Sequence, residues 1–122
     1  MSDDIYKDEI ELVTRIIEYE KVPTKNPKAI AKVAVLVASY GAGDMLAGLS
    51  IERAFSNSEV KNEWKNWFKR QEIDIERFSC TSLQIAFEKL GKKYPIFKAL
   101  SKMSVSGGHT TSIKELAKKY SL

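Results

Sequence analysis

Apolar residues recur every three or four positions along most of this chain, which is the spacing that places them on one face of an α-helix. The first stripe predicts a helix from about Asp4 to Glu20. Asn26 followed by Pro27 predicts the start of a second, because the asparagine caps the helix and the proline needs no backbone donor there. Apolar side chains cover most of the circumference of residues 27–40, so this helix is predicted to be the central one, with Gly41 as its C-terminal cap.

A third helix is predicted to begin at Asp44, whose carboxylate can accept a hydrogen bond from a free backbone amide of the first turn. In this helix the inward side chains are predicted to be Met45, Leu46 and Leu49. A fourth helix, to about Gln71, is predicted from the capping-box spacing of two residues, Ser56 and Glu59.

Three further helices are predicted in the last third of the chain. One spans about 81–90 and is closed by Gly91. The next begins at Pro95, and the last follows a second capping box, Ser112 with Glu115. A chain of 122 residues suits one domain with one core. The fold is therefore predicted to be all-α, a compact single-domain bundle of five to seven helices over residues 1–122.

Charge is distributed unevenly along the sequence. Residues 1–20 carry seven acids and two bases, whereas residues 89–122 carry eight lysines and one acid, Glu115. A surplus of one sign at each end suggests a polyanionic partner for the C-terminal third or head-to-tail contact between copies. The alternative is that lysines keep exposed helix faces in solution.

Location and redox state are predicted from what the sequence lacks. The N-terminus has no basic-then-apolar signal region, and the longest apolar run, residues 29–40, is too short to span a bilayer. A single cysteine, Cys80, permits no internal disulfide. These features predict a cytoplasmic protein.

Candidate nucleic-acid contacts are the lysines of the C-terminal half and one histidine. In residues 61–70 aromatic and basic residues alternate, so the rings either stack on unpaired bases or fill the core while the lysines form a solvent stripe. The candidate contact residues are Lys61, Lys65, Lys69, Lys89, Lys92, Lys93, Lys98, Lys102, His109, Lys114, Lys118 and Lys119.

Two glycine-containing segments bear on phosphate binding. Residues 43–50 approach the spacing of a phosphate-binding loop, but Leu49 stands where that loop needs a lysine, which favours a tight turn between closely packed helices. Residues 106–112 combine two glycines, hydroxyl side chains and His109 ahead of a predicted helix. This loop either clamps a phosphate or is a linker that caps the helix.

Catalytic and metal sites are not indicated. Histidine and cysteine do not cluster as metal ligands, and the surroundings of Cys80 and His109 do not resemble a nucleophile site. Carboxylates mostly alternate with lysines on predicted helix surfaces, which does not suggest acid–base catalysis. The sequence predicts a protein that is not an enzyme and uses no cofactor.

Residues 32–47, read as KVAVLVASYGAGDMLA, place an apolar helix, a glycine-containing turn and a second apolar helix in succession. This stretch resembles the small, all-helical, basic subunit of archaeal-type CRISPR effector complexes, which serve antiviral defence. The resemblance covers under 20 residues and transfers no motif residue to this chain. It implies a non-catalytic protein that stacks in several copies along a filament and contacts nucleic-acid backbone.

Two classes of function remain open at this point. The first is an accessory subunit that binds nucleic-acid phosphates through its basic C-terminal half, independently of sequence, beside other protein subunits or copies of itself. The second is a protein–protein adaptor or inhibitor that acts on an acidic protein partner.

Overall fold

A computed structural model of the chain describes residues 6–41, 43–103, 115, 118 and 119. Backbone alone is described at positions 102 and 103. Within these residues the chain forms six helices and no strand: α1 Lys7–Tyr19, α2 Pro27–Gly41, α3 Met45–Ala54, α4 Ser58–Arg70, α5 Cys80–Leu90 and α6 Pro95–Met103. The prediction of a compact all-α bundle is confirmed. Glu115, Lys118 and Lys119 are helical and exposed, while the predicted cap Ser112 lies outside the described residues.

α2 is the central helix, as its pattern predicts. It packs against α1, α3, α5 and α6, and nine of its fifteen residues are buried. One buried polar residue, Ser39, donates its hydroxyl to the carbonyl oxygen of Val35 at 2.7 Å. Its side chain also hydrogen-bonds the Tyr6 side chain, so this buried hydroxyl is satisfied both within α2 and at the start of α1.

The helix starts follow local capping, with one correction. Asp44 caps α3 by accepting from the Leu46 amide at 3.0 Å, as predicted. The predicted cap of α4 was Ser56, but Asn57 takes that role, accepting from the Glu59 and Val60 amides. Ser56 instead donates its hydroxyl to the Arg53 carbonyl. Both residues are good caps, and the one in the extended conformation next to the first turn is the one used.

The aromatic side chains of α4 fill the core. Trp64, Trp67 and Phe68 are all buried, and their rings lie 5.3–5.7 Å apart between centroids. Phe87 of α5 meets the Phe68 ring edge-on at 5.8 Å. This geometry confirms the core alternative for the α4 rings and overturns base stacking on them, because a buried ring offers no face to a base.

The inward face of α3 is not the predicted one. Met45, Leu46 and Leu49 are 69%, 60% and 56% exposed, while the residues facing the bundle are Ala47, Gly48 and Ile51. The reason is close approach. A Cβ at Gly48 would stand 2.7 Å from the ring of Tyr40, so any larger residue would have to displace that ring from the end of α2.

Residues 73–79 connect α4 to α5 without regular secondary structure. Ile73 and Ile75 are buried, whereas Asp74 and Glu76 between and after them are exposed. The segment thus covers the core with alternate side chains and places two carboxylates on the surface between α4 and α5.

Candidate nucleic-acid interface

Three separate parts of the chain are held together at one end of the bundle. The indole Nε1 of Trp67 donates to the Pro23 carbonyl at 2.7 Å, which ties α4 to the α1–α2 connection. The carboxylate Oε1 of Glu20 accepts from the Ile96 amide at 3.2 Å, which joins the end of α1 to the start of α6. These contacts bring residues 20–26, 69–72 and 91–98 to a common site, which we name the basic end.

The basic end takes its name from its charges. Its three segments hold two carboxylates, Glu20 and Glu72, against seven exposed cations: Lys21, Lys25, Lys69, Arg70, Lys92, Lys93 and Lys98. The Oε2 atom of Glu72 lies 3.9 Å from the Nζ atom of Lys93. The carboxylate of Glu20 accepts the hydrogen bond from the Ile96 amide of α6. The exposed Glu72–Lys93 pair contributes little to stability, but its distance shows that the end of α4 lies beside the α5–α6 turn.

A tight turn between α5 and α6 places the lysines of this region side by side. A Cβ at Gly91 would stand 2.9 Å from the backbone N and Cα of Lys98, so the two helices meet closely at this glycine. Lys92 and Lys93 therefore project from a turn held directly against the first turn of α6. Because backbone atoms cannot move aside as a side chain can, the turn is rigidly positioned.

Two helix N-termini add to the positive electrostatic potential of the basic end. α2 and α6 both begin here, and the N-terminus of a helix carries a partial positive charge. The first turn of α2 is capped by Asn26, whose side-chain oxygen accepts from the Ala29 amide at 3.2 Å. Lys69 and Arg70 occupy the last turn of α4, where cations also stabilise the negative helix end.

The structure divides the predicted contact residues into groups. Lys69, Lys92, Lys93 and Lys98 lie at the basic end. Lys61 and Lys65 are exposed earlier on α4, and a groove of about 360 Å³ joins Lys65 to Lys69, with Glu72 and Asp74 also in its lining. Lys89 lines a separate groove of about 320 Å³ on the other side of Asp74, together with Glu76 and Arg77. Carboxylates therefore separate Lys89 from the α4 stripe.

The remaining predicted contacts are only partly described. Lys118 and Lys119 are exposed, and Lys102 belongs to α6 by its backbone. His109 and Lys114, with the predicted loop of residues 106–112, lie outside the described residues.

Sequence reasoning missed three cations of the basic end, Lys21, Lys25 and Arg70. Averaging charge over residues 21–88 hid them, because eight acids in that range nearly balance ten bases. The available signal was position: Lys21 and Lys25 flank Pro23 in a helix connection, where side chains face solvent.

The glycine turn before α3 does not form an anion site. Gly43 adopts φ +107°, and the following residue, Asp44, fills the start of α3 with its own carboxylate. Tyr6 donates its phenolic hydroxyl to the other oxygen of Asp44. A phosphate would meet a negative charge where a phosphate-binding loop presents free amides, which supports the tight-turn interpretation.

Cys80 is a buried thiol rather than an activated one. Its side chain is 8% exposed and approaches the Gly48 carbonyl at 3.9 Å. Burial, followed by the charge of Glu52, raises the pKa of Cys80, which is opposite to the shift that a nucleophilic cysteine needs. Among the described residues, no group of three or more histidine, cysteine, aspartate or glutamate side chains is arranged to hold a metal ion.

The helices of residues 6–41 and 43–103 lack the combined length and apolar character needed to cross a bilayer. No protein family, curated protein or solved structure matches the chain.

Proposed function

We propose that this protein is a non-enzymatic, cytoplasmic accessory subunit that binds the phosphate backbone of nucleic acid through its basic end. One observation carries the proposal: three segments distant in sequence are joined by hydrogen bonds, and together they carry seven exposed cations and two carboxylates, each with a partner. Building such a cluster from surface lysines has a repulsive cost, which a polyanion would offset.

The chemistry predicts the character of this binding. Lysine is a point charge on a flexible stem, so it contacts phosphate oxygens without reading base edges. Binding is then independent of sequence. Each phosphate neutralised releases counterions, and four contacts would give a logarithmic salt dependence of about −3 to −4 on duplex DNA.

The finer proposal is the small subunit of a CRISPR effector complex, in antiviral defence. Its support is the resemblance of residues 32–47 together with the arrangement of α2, the glycine turn and α3. In such an assembly the chain would contact nucleic acid at the basic end and neighbouring protein subunits, or copies of itself, elsewhere.

Anisotropy titration of labelled single-stranded and duplex oligonucleotides at two salt concentrations tests the proposal. The variant K92E/K93E reverses two charges at the basic end and should weaken binding at least tenfold at low salt. The matched control, K7E/R53E, makes the same change in net charge at the start of α1 and in the last turn of α3, at two exposed residues outside the basic end. α1 alone is about 20 Å long, which separates Lys7 from the basic end. Equal binding by both variants, or no binding by the wild type, would refute the proposal.

A protein–protein adaptor is the second candidate, because α3 presents Met45, Leu46 and Leu49 to solvent on adjacent turns. Exposed apolar side chains grouped in this way are typical of contact with another protein. The variant L46S/L49S separates the two candidates in the same experiment. Under the first it binds oligonucleotides like the wild type. Under the second, the wild type captures an acidic protein partner from the native source in the absence of nucleic acid, and L46S/L49S does not.

A further inference from the structure

The connection between α4 and α5 is a single extended strand without a partner strand. Glu72, with φ 64°, turns the chain out of α4, and residues 73–79 then run without a turn or a bend. Burial alternates along this segment, with Ile73 and Ile75 buried and the residues that follow each of them exposed. Alternation with a period of two is typical of a strand lying on a core, because successive side chains point to opposite faces.

The backbone of this segment keeps its hydrogen-bonding groups open. At its two ends the Ile73 amide donates to the Phe68 carbonyl at 2.9 Å, and the Ser79 carbonyl accepts from the Leu83 amide at 3.0 Å. Between these bonds, the amides and carbonyls of residues 74–78 make no hydrogen bond to any other described residue. A run of open donors and acceptors at strand spacing is the edge to which another extended chain can pair.

A groove of about 320 Å³ lies along one side of this segment, and we name it the α5 groove. Residues 73–77 form one wall, and Ser82, Ile85, Ala86 and Lys89 of α5 form the other. Five extended residues span about 17 Å, so a short peptide can lie along the whole wall. Ile85 is 50% exposed and offers an apolar contact on the α5 side.

A second copy of this segment does not fit the α5 groove. Two copies related by a two-fold axis pair antiparallel, and the facing residues must belong to the same face of the strand. Registers centred on Asp74, Ile75 or Glu76 then each place two carboxylates opposite one another. Like charges directly opposite destabilise a strand pair, whereas lysine or arginine opposite these carboxylates stabilises it.

We propose that the α5 groove binds an extended peptide of a partner protein, in which basic and apolar residues alternate, as a strand added along residues 73–77. Backbone hydrogen bonds hold the peptide, its basic side chains lie opposite Asp74 and Glu76, and an apolar side chain contacts Ile85. The inference goes beyond the proposed function, because no residue of the basic end lines the α5 groove. One chain can therefore hold nucleic acid and a protein partner at the same time.

Three synthetic peptides of equal length, with blocked ends, test the proposal: Val-Lys repeated four times, Val-Glu repeated four times, and the Val-Lys peptide with every backbone amide N-methylated. In a fluorescence anisotropy titration the wild type should bind the first at least about tenfold more tightly than the second, through charge complementarity. The third keeps the charges but cannot donate backbone hydrogen bonds, so it should bind at least about tenfold more weakly than the first. Bound Val-Lys peptide should also slow amide hydrogen exchange at alternate residues of 74–77.

The variant D74K/E76K should reverse the preference and bind the Val-Glu peptide more tightly, since it replaces two exposed side chains without touching the core. I85S should weaken binding of the Val-Lys peptide. The matched control, E11K/E18K, makes the same change in net charge at exposed positions of α1, which packs mainly against α2, and should keep the wild-type preference.

The proposal is wrong if the wild type binds none of the peptides, or if it binds the N-methylated peptide as tightly as the unmodified one. It is also wrong if E11K/E18K changes the preference as much as D74K/E76K does, because attraction by net charge would then explain the binding. Each of these results leaves the oligonucleotide titration with K92E/K93E unaffected, so this inference and the proposed function fail separately.

Discussion

α3 and α4 were both predicted from apolar side chains at helical spacing, yet the prediction is right for one and wrong for the other. In α4 the apolar positions are large and few, and charged or polar residues occupy the rest, so only one face can be buried. In α3 nearly every residue of the first two turns is apolar or small. Hydrophobic periodicity therefore leaves the orientation of α3 open, and the space beside α2 decides it.

Size rather than hydrophobicity orients α3. The ring of Tyr40 lies against Gly48, and Ala47 is the other small residue on the inward face. Turning Leu46 or Leu49 inward would push α3 away from α2 and leave the Cys80 side chain without its neighbour at the Gly48 carbonyl. The close packing of α2, α3 and α5 at Gly48 therefore stabilises the fold more than burial of Leu46 and Leu49 would. One face of a short helix could bury these two leucines only in part.

Replacing Trp67 by alanine should cause the largest loss of stability, about 3–5 kcal/mol. The ring is 4% exposed, and its indole donates the hydrogen bond that ties α4 to Pro23. Urea unfolding of W67A measures the loss. The control K65A, one exposed position on the same helix, should stay within about 0.5 kcal/mol of the wild type. If W67A were as stable as the wild type, the conclusion that α4 has one buried face and one solvent-exposed face would be wrong.

Gly48 and its neighbour Leu49 test the orientation of α3 directly. G48V should destabilise the fold by about 1–3 kcal/mol, since the added methyl groups meet the Tyr40 ring. L49V shortens an apolar side chain at the adjacent exposed position, so it should change the free energy of unfolding by less than about 0.5 kcal/mol. Thermal or urea denaturation compares the two. If L49V lost more stability than G48V, the result would instead support the sequence prediction that Leu49 faces inward.

The smallest expected change in stability concerns the N-terminal caps of α3 and α4. Asn57 caps α4 using local backbone only, whereas Asp44 caps α3 and also accepts a hydrogen bond from Tyr6, distant in sequence. Y6F removes that hydrogen bond and should cost about 1 kcal/mol. Urea unfolding at neutral pH measures this loss, and Y94F, the same substitution at a half-buried tyrosine just before α6, is its control.

The Tyr6 hydrogen bond should also depend on pH. Burial, followed by the hydrogen bond to Asp44, raises the pKa of Tyr6 above its usual value near 10. Its stabilising contribution is therefore complete below pH 10 and is lost as pH rises through the higher pKa of the folded protein. The difference in unfolding free energy between wild type and Y6F should shrink in that range. A difference that stays constant to high pH would contradict this role.

The basic end shows the same limit of sequence reasoning. Its lysines on α6 and in the α5–α6 turn could be named from the C-terminal charge surplus, and Lys69 from the basic stripe of residues 61–70. Their position in a helix connection marks Lys21 and Lys25 as exposed, but their place at this site depends on the Trp67–Pro23 and Glu20–Ile96 contacts, which no local pattern reveals. The sequence also offered the aromatic rings of α4 for base stacking, and packing buries them in the core instead.

The sequence by itself determined the helical class, most helix starts and the central position of α2. These depend on neighbours within a few residues, through caps, prolines and the 3.6-residue repeat. The tertiary structure alone decided which face of α3 is buried, which cations share an end and which rings are buried. Those properties depend on contacts between residues that are far apart in the chain, where available space and long-range hydrogen bonds outweigh local preference.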